Sequence, residues 1–244
     1  MLVTATDGAA GLTGGDPDHP GDLGARRLAE LRRAAAALGC ARVEVLGYAD
    51  SGSSGPPVPG SFATLDPEEP AQRLAALLRE ESADVLTTYD PHGGYGHRDH
   101  VQVHRVGRRA AELAGTAVLL EATVRRESLQ RAARLLRRVP GARRLLPDDG
   151  FASAYLPRRE LTHQVDVRRH LAAKTAALAA HHSQTSGGGS VRTVALLLRL
   201  PRPLLAPVLG REWFREVSQG RAVPESAAGD PGQPLRDDIF ASLR

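Results

Sequence analysis

With 244 residues, 41% of them hydrophobic, the chain can build one large α/β domain or two small ones around a buried core. A net charge of +4 and 4% aromatic content argue against a nucleic-acid-binding surface, and the positive charge is almost all arginine, Lys174 being the only lysine. The single cysteine, Cys40, excludes a disulfide framework or paired-cysteine metal knuckle and reads as a small buried hydrophobe. No apolar run reaches the length of a membrane span and no signal peptide precedes Leu2, so the expected location is cytoplasmic.

Leu2-Val3-Thr4-Ala5-Thr6 reads as a strand. Residues 22–38 then place Leu23, Leu28, Leu31, Ala35 and Leu38 near a 3.6-residue period, which predicts a helix. Val43 to Leu46 is the next strand. Asp66-Pro67-Glu68-Glu69 is a helix-start signal, and Leu74, Leu77 and Leu78 continue that helix. Val85 to Tyr89 is a strand, 101–114 a helix carrying Val103, Val106, Ala110 and Leu113, and Thr116 to Thr123 contains a further strand. This alternation predicts an α/β fold of Rossmann-like type, a parallel sheet with helices on both faces.

The second half is less regular. Residues 125–144 carry eight arginines and one acid around Leu129, Leu135, Leu136 and Val139, an amphipathic helix broken at Pro140-Gly141. Such a helix could touch an anionic membrane peripherally, although a solvated face is the plainer reading. Residues 164–182 are expected to be helical, ended by Ser186-Gly187-Gly188-Gly189. The expected division is a domain over 1–190, an apolar extension over 191–222 packing on it, and a mobile tail over 223–244.

In an open parallel sheet, ligands bind beyond the carboxyl ends of the strands. Three polar, glycine-rich loops occupy those positions: Thr6 to Gly11, Gly47 to Gly52, and Asp90 to His100. The last holds three of the nine histidines, His92, His97 and His100, beside Asp90 and Asp99. His97 and His100 share a face if they enter the following helix. Imidazoles with neighbouring carboxylates suit metal binding or proton transfer. The same string also reads as a polar turn in which Asp99 caps the helix.

Several motifs, in order, resemble the zinc-dependent PIG-L/LmbE-like N-deacetylase family. Thr4-Ala5-Thr6-Asp7-Gly8-Ala9-Ala10-Gly11 is similar to its TATxGxxG turn, and Arg27-Leu28-Ala29-Glu30-Leu31 with Leu38-Gly39 to its RxxEL…LG helix. Leu46 to Gly52 resembles its LGxxDSG loop, and Thr88 to His100 its TYDPxGGYGHPDH signature, with Arg98 in place of proline. Lys174, Ala177-Leu178, His181 and Ser183-Gln184 resemble its KxxAL…HxSQ stretch.

The resemblance implies hydrolysis of an N-acetyl group on a small-molecule amino-sugar substrate, with one Zn2+ as cofactor. His100 matches a metal ligand. His97 matches the general acid or oxyanion stabiliser, Asp99 the residue that tunes it, and Tyr95 a residue that stabilises the tetrahedral intermediate. Arg27 and Asp50 match substrate contacts. The other two metal ligands and the general base belong, in this family, to an AHPDD motif on a strand ahead of the TATDGAAG strand. The first strand and helix of the family are therefore expected to be absent, leaving the chain as given inactive, with a true start upstream of Met1. The alternative is a degenerate, non-catalytic member acting as a binding protein. Asp16-Pro17-Asp18-His19 is a decoy on this reading, since it follows the first strand. The acetylated substrate and the oligomeric state are not legible.

Overall fold

In the computed structural model, which describes residues 1–8, 23–53, 55–138, 151–181, 202–217 and 234–244, the short apolar runs of the sequence become strands and the 3.6-periodic segments become helices. The chain divides into two compact units, both discontinuous: Met1–Leu65 with Val167–Arg211, and Asp66–Asp166 with Glu212–Arg244.

In the first unit, β1 (Leu2–Thr6) and β2 (Val43–Tyr48) pair in parallel, Leu2 opposite Val43 and Thr4 opposite Val45, with a register shift before Thr6 meets Tyr48. Parallel strands need a long crossover, and α1 (Leu23–Ala37), which buries Glu30, Ala34 and Ala35, lies in the connection. Later in the same unit come α6 (Leu171–Ala179), which packs on α1, and α7 (Arg202–Leu209). Cys40 is half-buried rather than enclosed.

The second unit contains α2 (Glu68–Glu80), β3 (Val85–Tyr89), a single turn α3 (Gly93–Gly96), α4 (Arg98–Ala114), β4 (Val118–Thr123) and α5 (Arg126–Leu136). It also holds β5 (His163–Asp166) and β6 (Arg211–Val217), the latter beginning at the unit boundary. Asp66 starts α2 as expected: its carboxylate accepts the Glu68 N–H at 2.9 Å. The sheet order is β3-β4-β6-β5. β3 and β4 run parallel, Val85 opposite Val118 through Tyr89 opposite Ala122, whereas β4 and β6 run antiparallel, Leu119 opposite Val217 through Thr123 opposite Trp213. Val118, Leu120 and Phe214 form the buried centre, with Val85, Val165 and Ile239 packed on it.

The class is α/β, and the four segments expected to be parallel strands pair in parallel two by two, β1 with β2 and β3 with β4, but in two sheets rather than one, the second mixed by the antiparallel β6. Three segments differ from expectation. Residues 211–217, assigned by sequence to an apolar extension, are a strand inside the second sheet, paired antiparallel with β4, with Phe214 in the buried centre on one face and Arg215 opposite Glu121 on the other. Residues 164–166, expected to open a helix, belong to β5, and the helix begins only at Leu171. Residues 234–244, assigned to a mobile tail, are tied to β5: Gln164 donates to the Arg236 carbonyl at 2.8 Å and Arg236 to that of Thr162 at 3.0 Å. The break expected at Pro140-Gly141, the 186–189 loop and residues 191–201 lie outside the described residues. No helix among the described residues is long and apolar enough to cross a membrane.

Candidate active site at the Asp90–His100 loop

The loop after β3 is built around one enclosed carboxylate. Asp90 is fully buried. Its Oδ1 accepts the backbone N–H groups of His92 and Gly94, each at 3.0 Å, and its Oδ2 accepts the Thr123 hydroxyl at 2.5 Å. A buried carboxylate is tolerated only when its lone pairs are satisfied in this way. Thr123 in turn accepts the Leu156 N–H at 3.1 Å, so Asp90 joins the end of β3, the end of β4 and the 154–156 segment. Gly94 takes φ 68° and ψ −101°, a backbone conformation that side chains resist, and the Tyr155 ring lies close over it. Tyr155, itself at φ 55°, is held there by its N–H to the Gly94 carbonyl (2.9 Å) and by the Arg126 guanidinium on its own carbonyl.

This loop delivers His97 to the N-cap of α4. Its backbone is extended there (φ −68°, ψ 129°), and its Nδ1 accepts the Asp99 N–H at 3.2 Å. The cap is therefore His97, not Asp99, whose side chain is buried in the first helical turn. An accepting Nδ1 leaves the neutral ring's proton on Nε2. His100, one turn on, has the opposite arrangement. Its Nδ1 lies 3.3 Å from the Gly93 carbonyl, which can only accept, so Nε2 is the lone-pair nitrogen of the neutral ring. The two ring centroids are 4.9 Å apart. Tyr89 stacks on His100 at 4.1 Å with an 8° interplanar angle, and Tyr95 presents its edge to both histidines, 6.2 Å from His97 and 5.3 Å from His100. Tyr95 is 62% exposed. His92, the third histidine of the string, turns instead toward Arg126, whose Nη2 lies 3.4 Å from its Nε2.

Behind the loop is a buried ionic group that the sequence motifs do not mark. His104 Nδ1 is 3.1 Å from the Tyr89 carbonyl and 3.4 Å from Glu121 Oε1. Glu121 has no exposed surface; its Oε2 is gripped by Arg215 Nε at 2.6 Å and Nη2 at 2.5 Å, while Arg215 Nη1 reaches Glu160 at 2.9 Å. Desolvation raises the Glu121 carboxyl pKa, opposed by Arg215, and desolvation lowers that of His104. The available signal was an acid interrupting the apolar run Val118-Leu119-Leu120-Glu121-Ala122.

Arg27 and Asp50 belong to the first unit, whereas His97, Asp99, His100 and Tyr95 belong to the second. Arg27, on α1, donates to the Gly8 carbonyl at the end of β1. Arg27 and Glu30 lie near His181, whose pKa is lowered chiefly by burial. Asp50 closes a turn by accepting the Gly52 N–H at 2.8 Å, and buried Ser51 accepts the Ala63 N–H at 2.8 Å. The end of the Thr6–Gly11 turn and Asp16–His19 lie outside the described residues.

Zinc suits the His100 tautomer, yet a catalytic zinc normally takes three protein ligands. Among the described residues no three His, Cys, Asp or Glu side chains gather into such a site. One histidine falls short of that donor set.

Comparison with known proteins bears on the whole chain. The family described as PIG-L, GlcNAc-PI de-N-acetylase, matches residues 1–111. A 1D-myo-inositol 2-acetamido-2-deoxy-alpha-D-glucopyranoside deacetylase of Streptomyces griseus is 34% identical over 99% of this chain and 79% of its own length. The deacetylase 2 of that description from Catenulispora acidiphila is 37% identical over 91% of this chain and 78% of its own, and one from Thermomonospora curvata is 42% identical over 68% and 62%. In structure, a conserved protein of Thermus thermophilus is similar over 96% of this chain and 84% of its own, with a TM-score of 0.50 at 19% identity, a likeness of fold.

Proposed function

The chain belongs to the PIG-L de-N-acetylase family, and on that premise we propose that it serves the metal-dependent hydrolysis of the N-acetyl group of an acetylated amino-sugar conjugate, of the glucosaminyl-inositol class named for its relatives. The observation that carries this reading is the pair of histidines at the start of α4, with opposite nitrogens engaged by the backbone. Such a pair supports a division of labour: a ring with its Nε2 lone pair available in the neutral form, His100, and a ring with an Nε2 proton to give, His97.

In this proposal His100 would be one ligand of a Zn2+, the remaining ligands coming from an AHPDD segment. A bound zinc would supply Lewis-acid activation of the water and of the acetamide carbonyl. The Nε2 proton of His97 is given to the developing oxyanion or to the departing amine. Asp99 holds His97 through its N–H, and the exposed phenol of Tyr95 reaches toward the same carbonyl oxygen. Arg27 and Asp50 bind the sugar or inositol hydroxyls.

A second reading, a non-catalytic family member that binds its ligand, is favoured by the lack of a three-donor cluster among the described residues. Metal analysis and an amine-release assay distinguish the two, run on residues 1–244 and on a form extended by a segment carrying AHPDD. The expected result is weak zinc binding and no acetate from the short chain, and about one zinc with acetate release from the extended one. In the extended form His100→Ala loses metal affinity, whereas His97→Ala keeps the metal and loses turnover by roughly 10²–10⁴-fold. An extended form that binds zinc without releasing acetate supports the binding protein. Equal activity from the short chain overturns the site assignment and directs attention to Asp16, Asp18 and His19.

A further inference from the structure

We propose that His104 is a positioning residue for His100, acting through Tyr89, with the buried Glu121 and its partner Arg215 as its support. His100 and His104 stand four residues apart on α4 and so share a face of the helix. Tyr89, the last residue of β3, meets that face at two points. Its ring lies flat on the His100 imidazole, centroids 4.1 Å apart, and its carbonyl oxygen is 3.1 Å from His104 Nδ1. One residue is thus held by two histidines a turn apart, and a shift of its backbone moves the surface on which His100 rests.

The bond to the Gly93 carbonyl fixes which nitrogen of His100 carries the proton, but a hydrogen bond to one ring nitrogen does not by itself set the plane of the ring. The stacked Tyr89 ring sets it. Orientation of an imidazole by groups that do not themselves touch the ligand is a usual requirement of a metal-facing histidine. This inference rests on the reading of His100 as such a residue.

The ionic group behind His104 is what such a device needs and what stability alone does not. A wholly buried carboxylate bound by a forked arginine is often no more stable than apolar side chains of the same volume, while its geometry is far more definite. Glu121 and Arg215 are opposed in register across β4 and β6, so the fork is set by the sheet itself. The remaining oxygen, Oε1, lies 3.4 Å from His104 Nδ1 and 3.9 Å from Arg108 Nη1, so the imidazole that reaches Tyr89 packs against a carboxylate held in place by the sheet. The support runs from Glu160 through Arg215 and Glu121 to His104, and Glu121 at its centre is fully enclosed.

The test is the histidine-ring NMR spectrum of the full chain, recorded for the parent and for Tyr89→Leu, His104→Leu, His104→Asn and Glu121→Gln. The stacked phenol displaces the His100 ring protons upfield, and Tyr89→Leu defines zero displacement. His104→Leu is expected to lose more than half of the displacement, and His104→Asn, which keeps a donor, to recover most of it. Glu121→Gln is expected to lose a smaller part, and it carries the test if His104→Leu does not fold. An undiminished displacement in His104→Leu, or in Glu121→Gln where that variant stands alone, overturns the proposal. A zinc titration of the extended parent reads the other question. His100 signals that ignore zinc refute the metal reading and leave the ring-current comparison to decide the positioning role.

Discussion

The two units hold their candidate functional residues by different means. In the second, β4 is enclosed: Val118, Leu119, Leu120 and Glu121 are at most 2% exposed, and the histidine loop is anchored to its end through Asp90 and Thr123. In the first, every residue of β1 is only partly buried, and Asp50 and Arg27 are placed by local turns and backbone contacts. Burial on both sides turns polar contacts into rigid, expensive constraints, whereas partly solvated contacts tolerate change. The histidine loop is therefore preorganised by tertiary structure, Asp50 chiefly by its own turn, and Arg27 by the contact of α1 with the end of β1.

This contrast can be broken most directly at its ionic contacts. Arg215→Leu leaves Glu121 enclosed without its fork and is expected to cost about 3–5 kcal/mol, whereas Glu44→Ala, which removes the half-exposed Arg42–Glu44 pair of the first unit, costs about 0–1 kcal/mol. Urea denaturation of both variants checks it; similar costs would erase the distinction. Leu120→Ala in β4 is expected to cost about 2–5 kcal/mol. Val3→Ala in half-buried β1 should cost about 1 kcal/mol. At Gly107, where a Cβ would come within 2.6 Å of the Thr88 hydroxyl, Ala is expected to push α4 from β3 at about 1–3 kcal/mol, read as a fall in Tm.

The smallest effect is on pH. Burial lowers the pKa of His104 and His163 in the second unit and of His181 in the first below the ordinary 6.5. The unfolded chain then takes up protons before the folded one, so their contribution is present above 6.5 and is lost as pH falls below it. Tm measured downward from pH 7 should decline first through this window. His104→Asn and His163→Asn should flatten the decline, and an unchanged profile in both would show that other groups govern it.

The strand–helix alternation and the chemistry-bearing loop could be read from sequence because each depends on local periodicity or composition. Val85 to Tyr89 is a strand with the bounds its apolar run suggests, and the glycines around Tyr95 mark a loop wherever they occur. What tertiary structure alone decided is pairing over distance. That His97 rather than Asp99 caps α4 depends on the turn imposed by Asp90 and Gly94. That residues 211–217 lie beside β4, with Arg215 opposite Glu121 from 94 residues earlier in the chain, is such a pairing. No periodicity encodes such a partner. A buried charge is satisfied by whichever opposite charge the fold brings to it, and only the folded chain specifies which one that is.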